Sequence, residues 1–301
     1  RLNMLPGEVL RFARAAAAAA RANGTCAVLV GGAVRDLLLG RTVREADVMV
    51  EPPVQSVVDT LAAAFKAKLV SHPRFKTYRI ELPDGPKFDI VTAREERYPT
   101  PAALPEVTPS TIANDLARRD FTINTLVCRL DPEFGEIYDP LGGQADLDGK
   151  LIRALHSRSF EDDPTRIFRA ARFSARLGFT VEPQTAGWIR SGLAAGAADR
   201  LSPVRRRHEL ELILKEDAPS ASLQILKDWD AIRIFHPGWT SLDLTAACLD
   251  EAPGEGDDRL VERWARLLHT AGASLALTTM TGLSFEKTAR RGVIDRMERF
   301  Q

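Results

Sequence analysis

Hydrophobic and polar positions follow two different patterns along this chain of 301 residues. Up to about residue 155, short apolar runs typical of strands alternate with helical spacing, whereas beyond about residue 160 only helical spacing remains. The pattern therefore predicts an α+β first part and an all-helical remainder. The predicted strands are residues 25–30, 43–50, 78–82 and 88–91, and the predicted helices are residues 54–65, 164–177, 185–194, 203–215, 220–229, 259–270 and 286–300.

Turn-forming residues mark where several of these elements begin and end. The sequence Pro-Asp-Gly at residues 83–85 predicts a hairpin between the two strands that flank it. Residues 94–111 are rich in Pro and lack strong periodicity, so they predict a loop. Asp163 and Pro164 form a helix start, and Gly178 forms a helix stop, which together bound the helix at residues 164–177.

The composition indicates a globular protein without a membrane span or a disulfide framework. Hydrophobic content of 45% and charged content of 27% are typical of a globular protein, and no apolar run approaches the length of about 20 residues that a membrane span needs. Cys26, Cys128 and Cys248 are widely spaced and odd in number, which indicates reduced thiols of a cytoplasmic protein. The net charge is zero, so a nucleic-acid partner must be held by local basic clusters. The chain begins without Met, which leaves open whether it is a piece of a longer protein.

A glycine turn and an acidic pair lie close together in the first part. Gly31 and Gly32 follow a predicted strand and precede a short helix that carries Arg35. Glycine lets the backbone approach a phosphate, and the amides at a helix start point towards it. Glu45 and Asp47 lie two residues apart on the next predicted strand, so their side chains share one face. This pattern suits a divalent metal and a triphosphate, although two solvated charges on an edge strand would look the same.

A third carboxylate belongs to the predicted hairpin. Asp89 lies between Phe88 and Ile90 in the second strand. Successive side chains of a strand point to opposite faces, so Asp89 faces the cleft side if its two neighbours face the core. We therefore predict that Asp89 joins Glu45 and Asp47 as a catalytic carboxylate.

The segment DLARRDFTIN, residues 115–124, contains contiguous charges ahead of an apolar stretch. One interpretation is a surface cluster of salt bridges. The functional interpretation is that Arg119 contacts phosphate, while Asp120 and Asn124 contact ribose hydroxyls or position the backbone.

The segment FEDDPTRIFRAARFSARLGF, residues 160–179, places four arginines on one stripe of a helix, beside an apolar face. Asp163 and Arg166 lie about one turn apart at the helix start. A carboxylate accepts hydrogen bonds and a guanidinium donates them, so this pair matches the mixed edge of a nucleotide base, namely the exocyclic amine and adjacent ring nitrogen of C or A. Judged alone, the segment favours an N-cap Asp with a helix ion pair over a base reader. The arginines are Arg166, Arg169, Arg172 and Arg176.

These segments together resemble the class II tRNA nucleotidyltransferase and bacterial poly(A) polymerase family. The resemblance covers residues 29–214 and rests on the following stretches in order: GGAVRDLLLGR, EAD where the family usually has Asp-x-Asp, FDIVTAREERY, DLARRDFTIN, DPLGGQADLDGKLIRAL, FEDDPTRIFRAARFSARLGF and RLSPVRRRHELELIL. Beyond residue 214 the resemblance is only to a generic helical RNA-binding part.

The resemblance implies a nucleotidyltransferase head of mixed sheet and helices at residues 1–155. It implies a helical neck at residues 156–216 and a helical body and tail that bind tRNA at residues 217–301. The implied activity is template-independent addition of C, A or both from CTP and ATP to the tRNA 3′ acceptor end, with Mg²⁺. No membrane and no protein partner are implied.

The resemblance also implies roles for single residues. Glu45 and Asp47 would bind the metal, with Asp89 as a further catalytic carboxylate. Asp163 and Arg166 would read the base edge. The nucleotide-binding set would be Gly31, Gly32, Arg35, Arg119, Asp120, Asn124, Asp163, Arg166, Arg169 and Arg172.

The sequence departs from the usual family pattern at two positions, and alternatives to the implied function stay open. Glu45 replaces the usual Asp, and octahedral Mg²⁺ tolerates the longer side chain poorly. Asp162 stands where many members have Glu. In the family, the region of residues 94–111 helps to switch from C to A addition, and its appearance here favours a CC-adding or an A-adding member. The alternatives are a poly(A) polymerase or, from another class, a catalytically weakened RNA-binding protein.

Overall fold

The computed structural model describes residues 5–43, 46–73, 76–83, 85–131 and 134–300. The chain packs as two compact units. The first comprises the described residues up to Pro99 together with Leu104–Leu155, and the second comprises Thr100–Ala103 together with the described residues from His156 onwards. The first unit is mixed sheet and helix and the second is mostly helical, so the predicted α+β class is confirmed.

The first unit is built on a mixed sheet of seven strands. Its helices are α1 (Gly7–Ala22), α2 (Gly32–Leu38), α3 (Gln55–Phe65), α4 (Ile112–Ala117) and α5 (Gly143–Asp148), with a 3-10 turn at Thr122–Asn124. Its strands are β1 (Ala27–Val30), β2 (Val48–Val50), β3 (Lys68–His72), β4 (Thr77–Glu81), β5 (Lys87–Thr92), β6 (Arg94–Arg97), β7 (Glu106–Pro109), β8 (Val127–Arg129), β9 (Ile137–Tyr138) and β10 (Leu151–Ile152). The order in the sheet is β3-β4-β5-β2-β1-β8-β9.

The register of the central strands places the acidic residues. Strand β2 runs parallel to β5, with Val48 opposite Ile90, whereas β1 is antiparallel to both β2 and β8. The predicted hairpin is confirmed, because β4 and β5 are antiparallel with Arg79 opposite Asp89. Asp47 precedes Val48, so it lies at the start of β2 next to the part of β5 that carries Asp89.

The two faces of the sheet are covered differently. On one face, the ring of Phe12 from α1 stacks on Phe88, with the ring centroids 4.0 Å apart. On the other face, Val28 and Met49 pack in one buried cluster with Leu116 of α4. Burial of both faces follows from the apolar runs in β1 and β2, in which every residue is buried.

Three local expectations need correction. The predicted loop at residues 94–111 contains β6 and β7, which pair as a separate two-stranded sheet with Arg94 opposite Pro109. Their residues are mostly polar and partly exposed, so the hydrophobic alternation that marks a strand is missing. The strand predicted at residues 43–50 is shorter, since it begins at Val48. A two-residue strand, β11 (Thr180–Val181), interrupts the part predicted to be all-helical.

The second unit packs its helices around aromatic side chains. Phe168 and Phe235 have their ring centroids 5.1 Å apart, and the buried Trp239 donates from Nε1 to Thr279 Oγ1 at 3.1 Å. Among the described residues, no helix combines the length and the apolar character that crossing a membrane requires. The helices are α6 (Ser159–Asp162), α7 (Thr165–Leu177), α8 (Pro183–Ala194), α9 (Pro203–Leu214), α10 (Pro219–Asp228), α11 (Gly256–Ala271), α12 (Ala273–Gly282) and α13 (Lys287–Met297).

Candidate active site

An open cavity of about 370 Å³ lies in the first unit. It is lined by one carboxylate, three guanidinium groups, one imidazole and two smaller side chains. Guanidinium groups bind phosphate through charge-assisted hydrogen bonds, and a carboxylate beside them can hold a divalent cation. The cavity therefore suits a polyphosphate with its metal. Its lining residues are Asp47, His72, Thr77, Val91, Arg94, Arg118 and Arg119.

One buried carboxylate holds all three arginines of the cavity in place. Asp115 of α4 is fully buried. Its Oδ1 accepts from Arg119 Nε at 3.0 Å, and its Oδ2 accepts from Arg118 Nε at 3.1 Å. Oδ2 also accepts from the backbone amide of Arg94 at 3.3 Å. The guanidinium groups of Arg118 and Arg119 are thus fixed before any ligand arrives, which lowers the cost of ordering them around a phosphate.

A second carboxylate, Glu96 of β6, ties two of these arginines together. Its Oε1 accepts from Arg118 Nη1 at 2.6 Å and from Arg94 Nη2 at 2.9 Å, and its Oε2 accepts from the Tyr98 hydroxyl at 3.1 Å. Burial alone would raise the pKa of Glu96, but the charges of Arg118 and Arg94 and the hydrogen bonds bring the pKa below its ordinary value. Glu96 is therefore ionised at neutral pH and keeps both guanidinium groups paired.

The glycine turn lies against this network. Gly31 has φ +74°, in the left-handed region that favours glycine. A Cβ at Gly31 would lie 3.0 Å from Arg119 Nη1 and 3.7 Å from the carbonyl oxygen of Asn124, to which that Nη1 donates at 3.2 Å. Glycine thus leaves room for the Arg119 side chain, in addition to the predicted approach of a phosphate.

A chain of buried polar groups follows the turn. Arg35 of α2 is only 3% exposed, and it donates from Nη1 to Asn124 Oδ1 at 2.8 Å and from Nε to Asp36 Oδ1 at 2.9 Å. Asn124 donates in turn to Asp120 Oδ1 at 3.0 Å, and the same oxygen accepts from the amide of Phe121 at 2.8 Å. Burial of Asp120 and Asn124 favours the interpretation that they position the backbone. Gly32 begins α2, close to the guanidinium of Arg35.

The other predicted carboxylates have different surroundings. Asp89 is half-buried, and Arg79 donates to both of its oxygens, from Nε and from Nη2, each at 2.8 Å. Each oxygen of Asp89 keeps a second lone pair beside this bidentate pair, so the pair does not exclude a metal, and the catalytic role of Asp89 stays a prediction. Glu45 lies outside the residues that the structure describes.

The described residues fit Mg²⁺ through a single carboxylate, and not through a cluster of ligating side chains. Within residues 5–43, 46–73, 76–83, 85–131 and 134–300, no group of three or more His, Cys, Asp or Glu side chains forms a metal cluster. Mg²⁺ seldom needs such a cluster, because it is usually held by one or two carboxylates together with substrate phosphates and water. Asp47, exposed at the cavity that the three arginines line, provides such a carboxylate.

The second unit carries the predicted base-reading pair at the start of α7. Asp163 Oδ1 accepts from the amide of Thr165 at 3.2 Å and from its hydroxyl at 2.7 Å, which confirms the predicted helix start. Gly178 ends the helix with φ +70°, as predicted. Arg166 is 5% exposed and donates from Nη1 to Ser159 Oγ at 2.7 Å. Both side chains are therefore held by neighbours in the same unit.

The arginine stripe divides into buried and partly exposed members. Arg166 and Arg172 are buried, whereas Arg169 and Arg176 are partly exposed. Burial and the neighbouring charge of Arg169 lower the pKa of Arg172 below its ordinary value. Arg172 Nε lies 3.5 Å from Glu216 Oε1, and no acceptor in the described part of the chain completes a hydrogen bond to it. Two of the four arginines of the stripe therefore pack in the interior of the second unit, and the other two reach solvent.

Glu209 of α9 is a buried carboxylate that should make stability depend on pH. Burial raises its pKa from 4.5 to about 6, although Arg172 and Arg169 oppose the shift. The folded state then binds more protons than the unfolded state between these values, so stability falls as the pH rises from 4.5 to 6. We expect Glu209→Gln to remove a loss of about 1.5 kcal/mol between pH 4.5 and 6.5, as measured by chemical unfolding at these two values. An equal pH dependence in both proteins would contradict this assignment.

Several residues of the cavity were not predicted. Arg118 and Asp115 belong to the charged segment at residues 115–124, and Arg94 and Glu96 belong to the predicted loop, but the sequence pattern assigns no role to any of the four. The Asp115 spacing of three and four residues to Arg118 and Arg119 was a usable signal, since such pairs meet on a helix. Nothing local indicated Arg94, which reaches the site through the pairing of β6 with β7.

In the first unit, a cluster of arginines lies beside a carboxylate on a mixed α+β fold. This arrangement is typical of the class of proteins that bind polyphosphate ligands together with a metal ion. A family model described as the poly A polymerase head domain matches residues 27–153. The chain is 43% identical over 223 residues to an A-adding tRNA nucleotidyltransferase of Geobacter sulfurreducens, covering 74% of this chain and 25% of that protein. It is 41% identical over 204 residues to a CC-adding tRNA nucleotidyltransferase of Deinococcus radiodurans, covering 67% of this chain and 54% of that protein.

Solved structures with a similar fold come from the same kind of enzyme as these relatives. A CCA-adding enzyme in its apo form II superposes with a TM-score of 0.82 at 32% identity, covering 97% of this chain and 72% of that chain. The Thermotoga maritima CCA-adding enzyme complexed with tRNA superposes with a TM-score of 0.78 at 30% identity, covering 97% of this chain and 70% of that chain. This chain belongs to the tRNA nucleotidyltransferase and poly(A) polymerase family. It spans about a quarter of the first curated relative and about half of the second.

Proposed function

We propose that this chain is a tRNA 3′-end nucleotidyltransferase, which adds C, A or both from CTP and ATP to the acceptor end without a nucleic-acid template. The observation that carries the proposal is the cavity of the first unit, in which Asp47 lies with Arg94, Arg118 and Arg119. Transfer of a nucleotidyl group requires mainly that the protein hold charged groups in place beforehand, because the protein takes little part in the covalent chemistry.

Each part of the proposed site has a distinct task. The three arginines of the cavity would hold the triphosphate, and Asp47 would hold Mg²⁺. Bound Mg²⁺ supplies a lower pKa for the attacking 3′-hydroxyl and neutralises charge on the leaving pyrophosphate. Asp163 and Arg166 of the second unit accept from and donate to the base edge. We also propose that residues 156–216 form the neck and that residues 217–301 form the tRNA-binding body and tail.

The type of addition is a finer question. The curated relatives described above are named A-adding and CC-adding, whereas the similar solved structures are CCA-adding enzymes. The preference for a CC-adding or an A-adding member therefore rests on residues 94–111 of the sequence. The match to a poly A polymerase head domain keeps a poly(A) polymerase as the second candidate. A catalytically weakened RNA-binding protein is the remaining alternative.

One incorporation experiment separates these activities. The protein is incubated with Mg²⁺ and tRNAs ending before CCA, after C and after CC, with CTP or ATP supplied separately. Addition of C only, of A only or of both assigns the type, and long tails on an oligoadenylate primer would indicate a poly(A) polymerase. No incorporation on any substrate, with tRNA binding retained, would leave the RNA-binding alternative and overturn the proposal.

Glu45 gives a prediction that rests on the sequence alone. Mg²⁺ needs near-ideal octahedral geometry, and the extra methylene of Glu moves the carboxylate further from the backbone than Asp does. We expect Glu45→Asp to raise the rate of incorporation by about threefold or more at limiting Mg²⁺, and by less at saturating Mg²⁺. A rate that is unchanged at both concentrations would show that Glu45 does not limit metal binding.

A further inference from the structure

Arg205 of α9 joins two parts of the second unit that are distant in sequence. Its Nη2 donates to Asp163 Oδ1 at 3.0 Å, and its Nη1 donates to the carbonyl oxygen of Ala102 at 2.6 Å. The side chains of Arg205 and Asp163 are 25% and 21% exposed. One guanidinium group therefore links the candidate base reader to the segment Thr100–Ala103.

The two oxygens of Asp163 are used unequally. Oδ1 accepts from Arg205 and from both the amide and the hydroxyl of Thr165. In the part of the chain that the structure describes, no side chain or amide donates to Oδ2. Three donors on one oxygen fix the rotation of the carboxylate, so the other oxygen has a defined direction in which to accept a hydrogen bond.

The segment on the other side of Arg205 is itself held at two points. Ala102 is buried and has φ +62°, which is uncommon for a residue other than glycine. Its amide donates to the carbonyl oxygen of Glu161 at 3.3 Å, and its own carbonyl accepts from Arg205. A shift of this segment would therefore change the position of the Arg205 guanidinium.

We propose that Arg205 is a positioning residue for base recognition: it fixes the carboxylate of Asp163 and couples it to the segment Thr100–Ala103. The inference rests on the proposed function and deepens it. C and A carry an exocyclic amine where U and hypoxanthine carry a carbonyl oxygen. A fixed carboxylate oxygen accepts from the amine and repels the carbonyl, so discrimination depends on how firmly Asp163 is held.

The test compares CTP with UTP and ATP with ITP. In each pair the exocyclic amine becomes a carbonyl oxygen, and the adjacent ring nitrogen changes from an acceptor to an N–H donor. In Arg205→Ala, we expect the ratio of kcat/KM for the amine over the carbonyl nucleotide to fall by about tenfold. Both nucleotides are measured on the same preparation, so any unfolded fraction cancels in the ratio. A partly exposed ion pair contributes little to folding, so the variant should fold.

Arg206→Ala is the matched control on the same helix. Arg206 donates to the carbonyl oxygens of Leu201, Asp199 and Ile234 and makes no bond to Asp163. Its loss should leave the ratio within about twofold of the wild-type value. A shift as large as that of Arg205→Ala would show that loosening of α9 is the cause, and would overturn the inference.

A double-mutant cycle tests the coupling to the segment. Ala102→Val places a β-branched side chain at a positive φ, which strains the backbone, whereas Ala102→Gly relieves it. We expect Ala102→Val to lower the ratio in the wild-type background and to have no further effect in Arg205→Ala, while Ala102→Gly leaves it unchanged. Additive effects would overturn the coupling.

Equilibrium binding separates this inference from the proposed function. The Kd of each nucleotide is measured without tRNA for the wild type, Arg205→Ala and Arg206→Ala. If the wild type incorporates no nucleotide but Arg205→Ala shifts the Kd ratio of CTP to UTP, the proposed function fails and the positioning role stands. If neither the kinetic nor the Kd ratio moves by more than about threefold in Arg205→Ala, the positioning role fails, whatever the activity.

Discussion

Asp47→Asn should lower the rate of nucleotide addition by about a thousandfold or more at saturating nucleotide and Mg²⁺. Asp47 lines the cavity together with three arginines, so its carboxylate is placed to hold the cation that the triphosphate requires. Asn keeps the size of the side chain but removes the negative charge. The measurement is kcat for incorporation into the preferred tRNA, with the Mg²⁺ concentration varied to detect weakened metal binding.

A control separates this effect from damage to the fold. Asp59 lies exposed on α3 of the same unit and accepts from Gln55 at 2.9 Å, away from the cavity lining. Asp59→Asn should retain the rate within about twofold, and the exposure of Asp47 implies that neither variant loses much stability. A rate for Asp47→Asn within about tenfold of the wild type would contradict the metal-binding role.

Elements bounded by local signals could be predicted from the sequence. The helix α7 was predicted from Pro164 at its start and Gly178 at its end, and both residues perform those roles in the structure. The predicted direction of Asp89 depends on Phe88 and Ile90 facing the core, and both are buried. Such features depend on neighbours within a few residues, so the sequence pattern contains the information needed.

The cavity could not be predicted in the same way, because its contacts join distant residues. Arg94 meets Asp115 through a backbone amide 21 residues away, and Arg118 donates to the carbonyl oxygen of Arg94. These contacts depend on the pairing of β6 with β7, whose polar strands resemble a loop in sequence. The surroundings of Asp89 could not be predicted either, because the register of the hairpin sets its pairing with Arg79.

Asp115→Asn should destabilise the first unit by about 3 kcal/mol or more, which is the usual cost of removing one partner of a buried ion pair. The Asp115 carboxylate neutralises Arg118 and Arg119, and both guanidinium groups are mostly buried. Glu96 still contacts Arg118, but none of its hydrogen bonds reaches Arg119, so the Arg119 cation would lose its counter-charge. The loss is measured by chemical unfolding and by amide exchange in α4.

The comparison is with an ion pair of the same unit at the surface. Asp131 pairs with Arg21 at 2.8 Å, where the Arg21 side chain is 69% exposed. Asp131→Asn should cost less than about 1 kcal/mol, because solvent screens exposed charges. If Asp115→Asn costs no more than Asp131→Asn, the buried carboxylate does not hold the arginines against their mutual repulsion. The cavity would then owe its shape to the backbone of β6 and α4 alone.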